Sequence, residues 1–134
     1  MKIDAMLGSM YPHQAAGLAK RMEDIGFDAV WSWEAGHDPF LPLAVAATST
    51  EQIHLGTNIA VAFGRSPFAT AQAAWDLQRS SNGRFHLGLG TQVRAHVERR
   101  YDMPFEHPAA RLTDYIRCLH AIFDNFQNGS KPDY

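Results

Sequence analysis

The segment spanning residues 55–93 constrains the fold more than any other part of the chain. A run of mostly aliphatic and small residues, 53–59, predicts a strand, and the apolar run 84–89 predicts another. Between them Ser66 precedes Pro67, which is typical of a helix N-terminus because serine caps unpaired N–H groups and proline lacks one. An Asn-Gly pair then ends the helix, since a left-handed residue costs little there. Strand, helix and strand in so short a stretch predict a parallel βαβ unit.

The rest of the chain repeats this alternation. The patterns predict strands over residues 2–7 and 27–33. They predict helices over 13–25, from about 39 or 42 to 48, and over 67–81, 94–101 and 109–127. The order β-α-β-α-β-α-β-α-α is typical of the α/β class, and four βα units can begin a doubly wound sheet or a (β/α)8 barrel. A complete barrel needs roughly 250 residues, so a chain of 134 residues corresponds to about half of one.

Composition and charge exclude several classes of function. The 12 basic and 14 acidic residues leave a net charge of −2, which argues against a nucleic-acid-binding surface. No apolar run approaches the ~20 residues of a membrane span, and the N-terminus does not look like a signal peptide. The single cysteine, Cys118, forms no internal disulfide and fits a reducing cytoplasm. The histidines lack partners at metal-ligand spacing, so we expect no metal.

Five motifs together cover nearly the whole chain. They are GFDAVW (26–31), HDPFLPLAVAAT (37–48), LGTNIAVAFGRSP (55–67), AWDLQRSSNGRFHLGLGTQV (74–93) and AHVERRYDMPFEHPAARLTDYIRCLHAIF (95–123). In this order they resemble the luciferase-like monooxygenase superfamily, and more narrowly its branch that uses the deazaflavin coenzyme F420. The family fold is the (β/α)8 barrel. The resemblance therefore implies that residues 1–134 form one domain, the N-terminal half of a TIM barrel, with four parallel strands and helices on the outer face.

The candidate site lies at the carboxyl ends of the predicted strands, because chemistry in parallel α/β units sits just beyond those ends. The resemblance implies that the third strand ends in a bulge with a cis peptide bond between Asn58 and Ile59. Together with Thr57, this bulge would support the coenzyme ring. Read without the resemblance, the same residues describe an ordinary strand end.

Small and polar residues follow the fourth predicted strand: Gly88, Gly90, Thr91 and Gln92. The spacing Gly88-x-Gly90 is not a dinucleotide fingerprint, because the third glycine would fall at Val93. Two interpretations stay open, a tight strand-to-helix turn and a close backbone approach by the coenzyme, which glycines permit. The resemblance favours the second and implies that all four residues bind the cofactor.

Glu34 and His37 follow the second predicted strand. In the deazaflavin enzymes that the chain resembles, an acidic residue and a histidine here face coenzyme and substrate. The resemblance thus implies catalytic roles, with His37 exchanging a proton as hydride moves. The alternative is a simple loop in which Asp38 caps the next helix. Other aromatic and imidazole side chains are expected in the core: Trp31, Trp33, Trp75 and His86.

Three functional hypotheses are compatible with these residues. The first is an F420-dependent oxidoreductase acting on a small molecule, incomplete as an isolated chain. The second is an FMN-dependent monooxygenase module with the same half-barrel. The third is a non-catalytic, truncated half-barrel. Because a half-barrel leaves strand edges open and open edges invite association, we expect a homo-oligomer without nucleic-acid or membrane partners.

Overall fold

The structure is a computed structural model that describes residues 1–132, and the chain divides into two compact units. The first unit comprises residues 1–60 and 76–89, and the second comprises 61–75 and the residues from 90 onward. The strands are β1 (Asp4–Gly8), β2 (Ala29–Ser32), β3 (His54–Thr57), β4 (Ala60–Val61), β5 (Phe85–His86) and β6 (Leu89–Gly90). The helices are α1 (Pro12–Ile25), α2 (Phe40–Ser49), α3 (Pro67–Ser80), α4 (Arg94–Tyr101) and α5 (Pro108–Asn128), with a 3-10 turn at Ala62–Gly64. Within residues 1–132, no helix has the length and apolar character to cross a membrane.

A parallel sheet of four strands, in the order β1-β2-β3-β5, forms the core of the first unit. Its register aligns Ala5 with Val30, Val30 with Leu55, and Leu55 with Phe85. All four side chains are buried, and α2 contacts β2 and β3. Helices that cover a parallel sheet require apolar strands, which is why these runs could be read from the sequence. The four predicted parallel strands are confirmed, although each is shorter than its apolar run.

The prediction of one continuous strand over residues 84–89 is wrong. Of this run, β5 pairs with β3, whereas β6 belongs to a separate two-stranded sheet with β4. Gly88, between the two strands, explains the break. A Cβ at Gly88 would lie 2.0 Å from the carbonyl oxygen of Thr57, so the chain crosses the end of β3 where only glycine fits.

The helix boundaries predicted from capping residues agree closely with the structure. The Ser66 Oγ accepts the N–H of Ala69 at 3.2 Å at the start of α3, as expected for an N-cap. Asn82 and Gly83, with φ of 53° and 85°, take the left-handed conformation just beyond α3. Gly26, with φ of 103°, does the same after α1. These signals are local, so the sequence alone is sufficient to place them.

Arg84 joins the end of α2 to the start of β3 from a site where it is only 8% exposed. Its guanidinium donates to the carbonyl oxygens of Ala47, Thr50, Ile53 and Ser81 and to the Thr50 hydroxyl, at 2.7 to 3.0 Å. A buried charge is costly unless its donors are satisfied. Here the partial negative charge at the C-terminus of α2 contributes to that compensation.

Aromatic and aliphatic side chains of α3 and α5 form the core of the second unit. Tyr115 is buried, and its hydroxyl lies 2.6 Å from the Thr70 hydroxyl. Trp75 contacts the rings of Phe123 and Phe126, with centroid distances of 6.3 and 5.5 Å. Trp75 itself is half-buried within this aromatic cluster.

Candidate functional site

The strands β1, β2 and β3 end side by side. The register pairs Gly8 with Ser32 and Ser32 with Thr57. In a parallel sheet, residues that follow such paired positions leave the sheet at the same end. The candidate residues after β2 and β3 therefore lie at the carboxyl end of the sheet in the first unit.

Thr57 and Gly88 are joined at this carboxyl end of the sheet by two hydrogen bonds. The buried Thr57 hydroxyl donates to the Gly88 carbonyl oxygen at 2.7 Å and accepts the Gly88 N–H at 2.9 Å. The Thr57 side chain thus replaces the backbone hydrogen bonds that β3 would make if β5 continued to Gly88. The close backbone approach at Gly88 is made by the protein's own strand, and its contact with a cofactor stays a prediction.

The peptide bond between Asn58 and Ile59 is cis, as the resemblance implies. The Asn58 N–H donates to the Ser32 carbonyl oxygen at 2.6 Å, and the Ile59 carbonyl oxygen accepts the Glu34 N–H at 3.1 Å. The backbone of this segment is therefore fixed to the residues that end and follow β2. The Asn58 side chain is exposed and Ile59 is half-buried, so both are accessible at the carboxyl end of the sheet.

His37 lies against the loop that follows β1. Its N–H donates to the Ser9 Oγ at 3.3 Å, and its imidazole centroid lies 4.4 Å from that of the Tyr11 ring. The next residue, Asp38, accepts the N–H groups of the first two residues of α2, at 2.8 and 3.1 Å. The predicted capping role of Asp38 is confirmed, and it leaves a functional role for His37 open. Glu34, in contrast, contacts the end of β3 through its backbone.

Gly90, Thr91 and Gln92 belong to the second unit. Gly90 ends β6, and Thr91 and Gln92 lie in the turn that leads into α4. The Thr91 hydroxyl donates to the Gln92 carbonyl oxygen at 3.1 Å, and the Gln92 Oε1 accepts the Val93 N–H at 3.0 Å. Gln92 has a left-handed backbone, with φ of 59°. These contacts support the turn interpretation, and the cofactor-binding role of the three residues stays a prediction.

Two aromatic residues at the carboxyl ends were not predicted as site residues. Trp33 follows β2 and is 39% exposed, so its assignment to the core is wrong. Its ring covers Gly8, where a Cβ would lie 3.3 Å from the indole. Tyr11 is 58% exposed. The sequence signal that could have found Trp33 is its position, because it ends the predicted strand 27–33 and directly precedes Glu34.

A second polar cluster lies toward the amino ends of β1 and β3. His86 Nε2 lies 3.0 Å from His54 Nδ1, and the Trp31 indole N–H donates to Asp4 Oδ2 at 3.0 Å. These four residues help to line a cavity of about 230 Å³. His86 is exposed, so its expected core position is wrong. Partial burial and the neighbouring His54 lower the pKa of His86. No group of three His, Cys, Asp or Glu side chains in the described part of the chain could hold a metal ion.

The second unit contains a cavity of about 490 Å³ beside the first turn of α3. Its lining includes Arg65, Arg111, Tyr115 and Cys118. The Arg111 guanidinium lies 4.3 Å from the centroid of the Phe63 ring, in a cation–π contact.

The parallel βα architecture, with candidate residues at the carboxyl ends of its strands, defines a protein of the α/β class. The chain belongs to the luciferase-like monooxygenase family, whose family model matches residues 1–134.

Comparison with curated proteins gives relatives of two kinds. The chain is 48% identical over 131 residues to an uncharacterized protein of Mycobacterium tuberculosis, covering 98% of this chain and 38% of that protein. It is 36% identical over 139 residues to the F420-dependent glucose-6-phosphate dehydrogenase of Intrasporangium calvum, covering 92% and 42%. The chain thus spans about two fifths of the length of these relatives.

Solved structures agree on the fold. The coenzyme F420-dependent tetrahydromethanopterin reductase of Methanopyrus kandleri matches with a TM-score of 0.81 at 24% identity, over 99% of this chain and 42% of that one. The FMN complex of the oxygenating constituent of 3,6-diketocamphane monooxygenase from Pseudomonas putida matches with a TM-score of 0.82 at 16% identity, over 93% and 41%. The expected half of a (β/α)8 barrel, with four parallel strands, is confirmed.

Proposed function

We propose that this chain is the part of an oxidoreductase that holds the ring of coenzyme F420 during hydride transfer to or from a small molecule. Family membership and the relative named for F420 support this class of reaction. A bound deazaflavin supplies the hydride chemistry, and the protein supplies binding, orientation and exclusion of water.

The observation that carries the proposal is the fixed segment after β3. Hydrogen bonds hold the backbone of Asn58 and Ile59 to the residues ending β2, and Thr57 is tied to Gly88. A planar ring with polar edges needs a rigid, partly apolar support with donors and acceptors beside it. The half-buried Ile59, the exposed Asn58 amide and the exposed Trp33 indole fit that requirement. Gly90, Thr91 and Gln92 are proposed as further cofactor contacts.

His37 is the proposed proton donor or acceptor, and Glu34 is its proposed acidic neighbour in the site. Imidazole exchanges protons near neutral pH, and hydride transfer to or from an oxygen-bearing carbon requires a proton to move as well. Replacement His37→Gln keeps a polar side chain but removes the imidazole that would exchange the proton. The expected result is a loss of roughly 10²- to 10⁴-fold in hydride-transfer rate, with cofactor affinity unchanged.

Tryptophan fluorescence tests the cofactor assignment. F420 and FMN are titrated separately into the protein, and F420 is expected to quench the signal in a saturable way. Because Trp33 lies at the proposed site, Trp33→Phe should abolish most of the quenching. Trp75→Phe is the control, because its indole packs against Phe123 and Phe126, and it should leave most of the quenching. Equal quenching in the Trp33→Phe protein would place the cofactor elsewhere.

The alternative is an FMN-dependent monooxygenase module, supported by the fold shared with an FMN-bound monooxygenase. The same titration separates the two proposals, because saturation by FMN at lower concentration than by F420 favours the alternative.

Self-association through open strand edges stays a prediction. In the described sheet, β1 and β5 are the edge strands, and unpaired edges can pair with a second copy. Light scattering at micromolar concentration is expected to show a dimer or larger assembly. A monodisperse monomer would contradict it.

A further inference from the structure

Tyr11 has no part in the proposed hydride transfer, yet its ring contacts His37. The centroids of the phenol and imidazole rings lie 4.4 Å apart, with the planes tilted by 57°. This distance is close to the lower limit, about 4.5 Å, of favourable aromatic contacts. Because Tyr11 is 58% exposed, burial alone does not account for its orientation.

The backbone of Tyr11 is fixed by the start of α1. Its carbonyl oxygen accepts the Gln14 N–H at 3.1 Å, and its N–H donates to the Gln14 Oε1 at 3.3 Å. The His13 ring also stacks on Tyr11, with centroids 5.8 Å apart. The phenol ring is therefore presented to His37 from a rigid base.

The backbone of His37 makes a hydrogen bond, and the next residue is tied to α2. The His37 N–H donates to the Ser9 Oγ at 3.3 Å. The carboxylate of Asp38 accepts the N–H groups of the first two residues of α2. The side-chain torsions of His37 are a further freedom, and the Tyr11 ring restricts them.

We propose that Tyr11 is a positioning residue for His37, which it holds in the orientation needed for proton exchange with substrate. The inference rests on the proposed function, because it takes His37 as the proton donor or acceptor. It goes further by assigning a role to the β1–α1 loop. Orientation matters here because a displacement of about 1 Å at a reacting group can cost roughly 100-fold in rate.

Two replacements separate ring contact from hydroxyl chemistry. Tyr11→Phe keeps the aromatic ring, and Tyr11→Leu removes it, while both keep the backbone contacts that start α1. The χ1 torsion of His37 in the free protein is followed by NMR through scalar couplings, because the His37 ring shifts change with the Tyr11 ring current even when His37 does not move. The couplings are expected to change in Tyr11→Leu and to stay near their wild-type values in Tyr11→Phe. A matched control is Phe68→Leu, another exposed aromatic whose ring contacts Phe126, which should leave the couplings unchanged.

Kinetics give the second readout. Tyr11→Leu is expected to lower kcat by about 10- to 100-fold with little change in KM, and Tyr11→Phe should restore most of the rate. Unchanged His37 couplings in Tyr11→Leu would overturn the inference, as would equal kinetic losses in both variants. The NMR arm needs no cofactor, so it distinguishes this failure from failure of the proposed function. Absence of F420 binding, with His37 still displaced in Tyr11→Leu, would contradict the proposed function alone.

Discussion

At the residue scale, Glu23 shows how one carboxylate organises a turn. Its Oε1 accepts the N–H groups of Glu51, Gln52 and Ile53 at 2.9, 2.6 and 3.0 Å. Partial burial opposes the charged form, but these three donors and Lys20 outweigh it and lower the pKa of Glu23 from 4.5 to about 2. The turn between α2 and β3 is therefore stabilised by the ionised carboxylate.

Glu23→Gln should destabilise the protein in a pH-dependent way. Because the folded-state pKa is lowered, the contribution is fully present above about pH 4.5 and is lost as pH falls toward about 2. The amide still accepts hydrogen bonds but carries no charge, so the expected cost near neutral pH is about 1 to 3 kcal/mol. Urea denaturation near pH 7 and near pH 3 measures it. A penalty that is the same at both pH values would contradict the assignment.

At the scale of elements, the break in the fourth strand depends on one glycine. The Thr57 backbone occupies the space where a Cβ of residue 88 would stand, and backbone cannot swing away as a flexible side chain can. Two short strands and a crossing point thus replace the single strand that the apolar run predicts.

Gly88→Ala is expected to destabilise the protein by at least about 1 to 3 kcal/mol, the usual cost of overpacking. Gly17 in α1 is the matched control, because a Cβ there meets nothing within 4 Å. Gly17→Ala should raise stability by about 0.5 to 1 kcal/mol. Thermal denaturation of both variants gives the comparison. If Gly88→Ala were as stable as the wild type, the backbone at the end of β3 could move to accommodate a Cβ, and the prediction would be wrong.

The helices and the order of strands could be predicted because their signals are local. Ser66 and Gly26 act within one turn of their own helices, and buried parallel strands are recognised in the sequence as apolar runs. The contact of Gly88 with Thr57 joins residues distant in sequence, so no local pattern reports it. The site is also formed by residues distant in sequence. Asn58, Glu34 and His37 were found only from their positions after predicted strands and from the family resemblance. The contact between Tyr11 and His37 could be found only from the structure.

At the scale of the whole molecule, the sheet of the first unit carries polar groups toward both ends of its strands. The carboxyl ends of β2 and β3 lead to the fixed segment at Asn58 and to His37. Toward the amino ends lies the cluster of His54 and His86. Family membership and the general location of sites in parallel α/β folds favour the carboxyl ends. We therefore expect the ring of the cofactor to bind where β2 and β3 end.

Amide chemical-shift mapping during an F420 titration tests that location most directly. We predict that the largest shifts fall on the amides of Glu34, His37 and Asn58, while the resonances of Asp4 and His54 stay in place. If the largest shifts instead fall on the amino-end cluster, or on the second-unit cavity beside Arg111, the claim is contradicted.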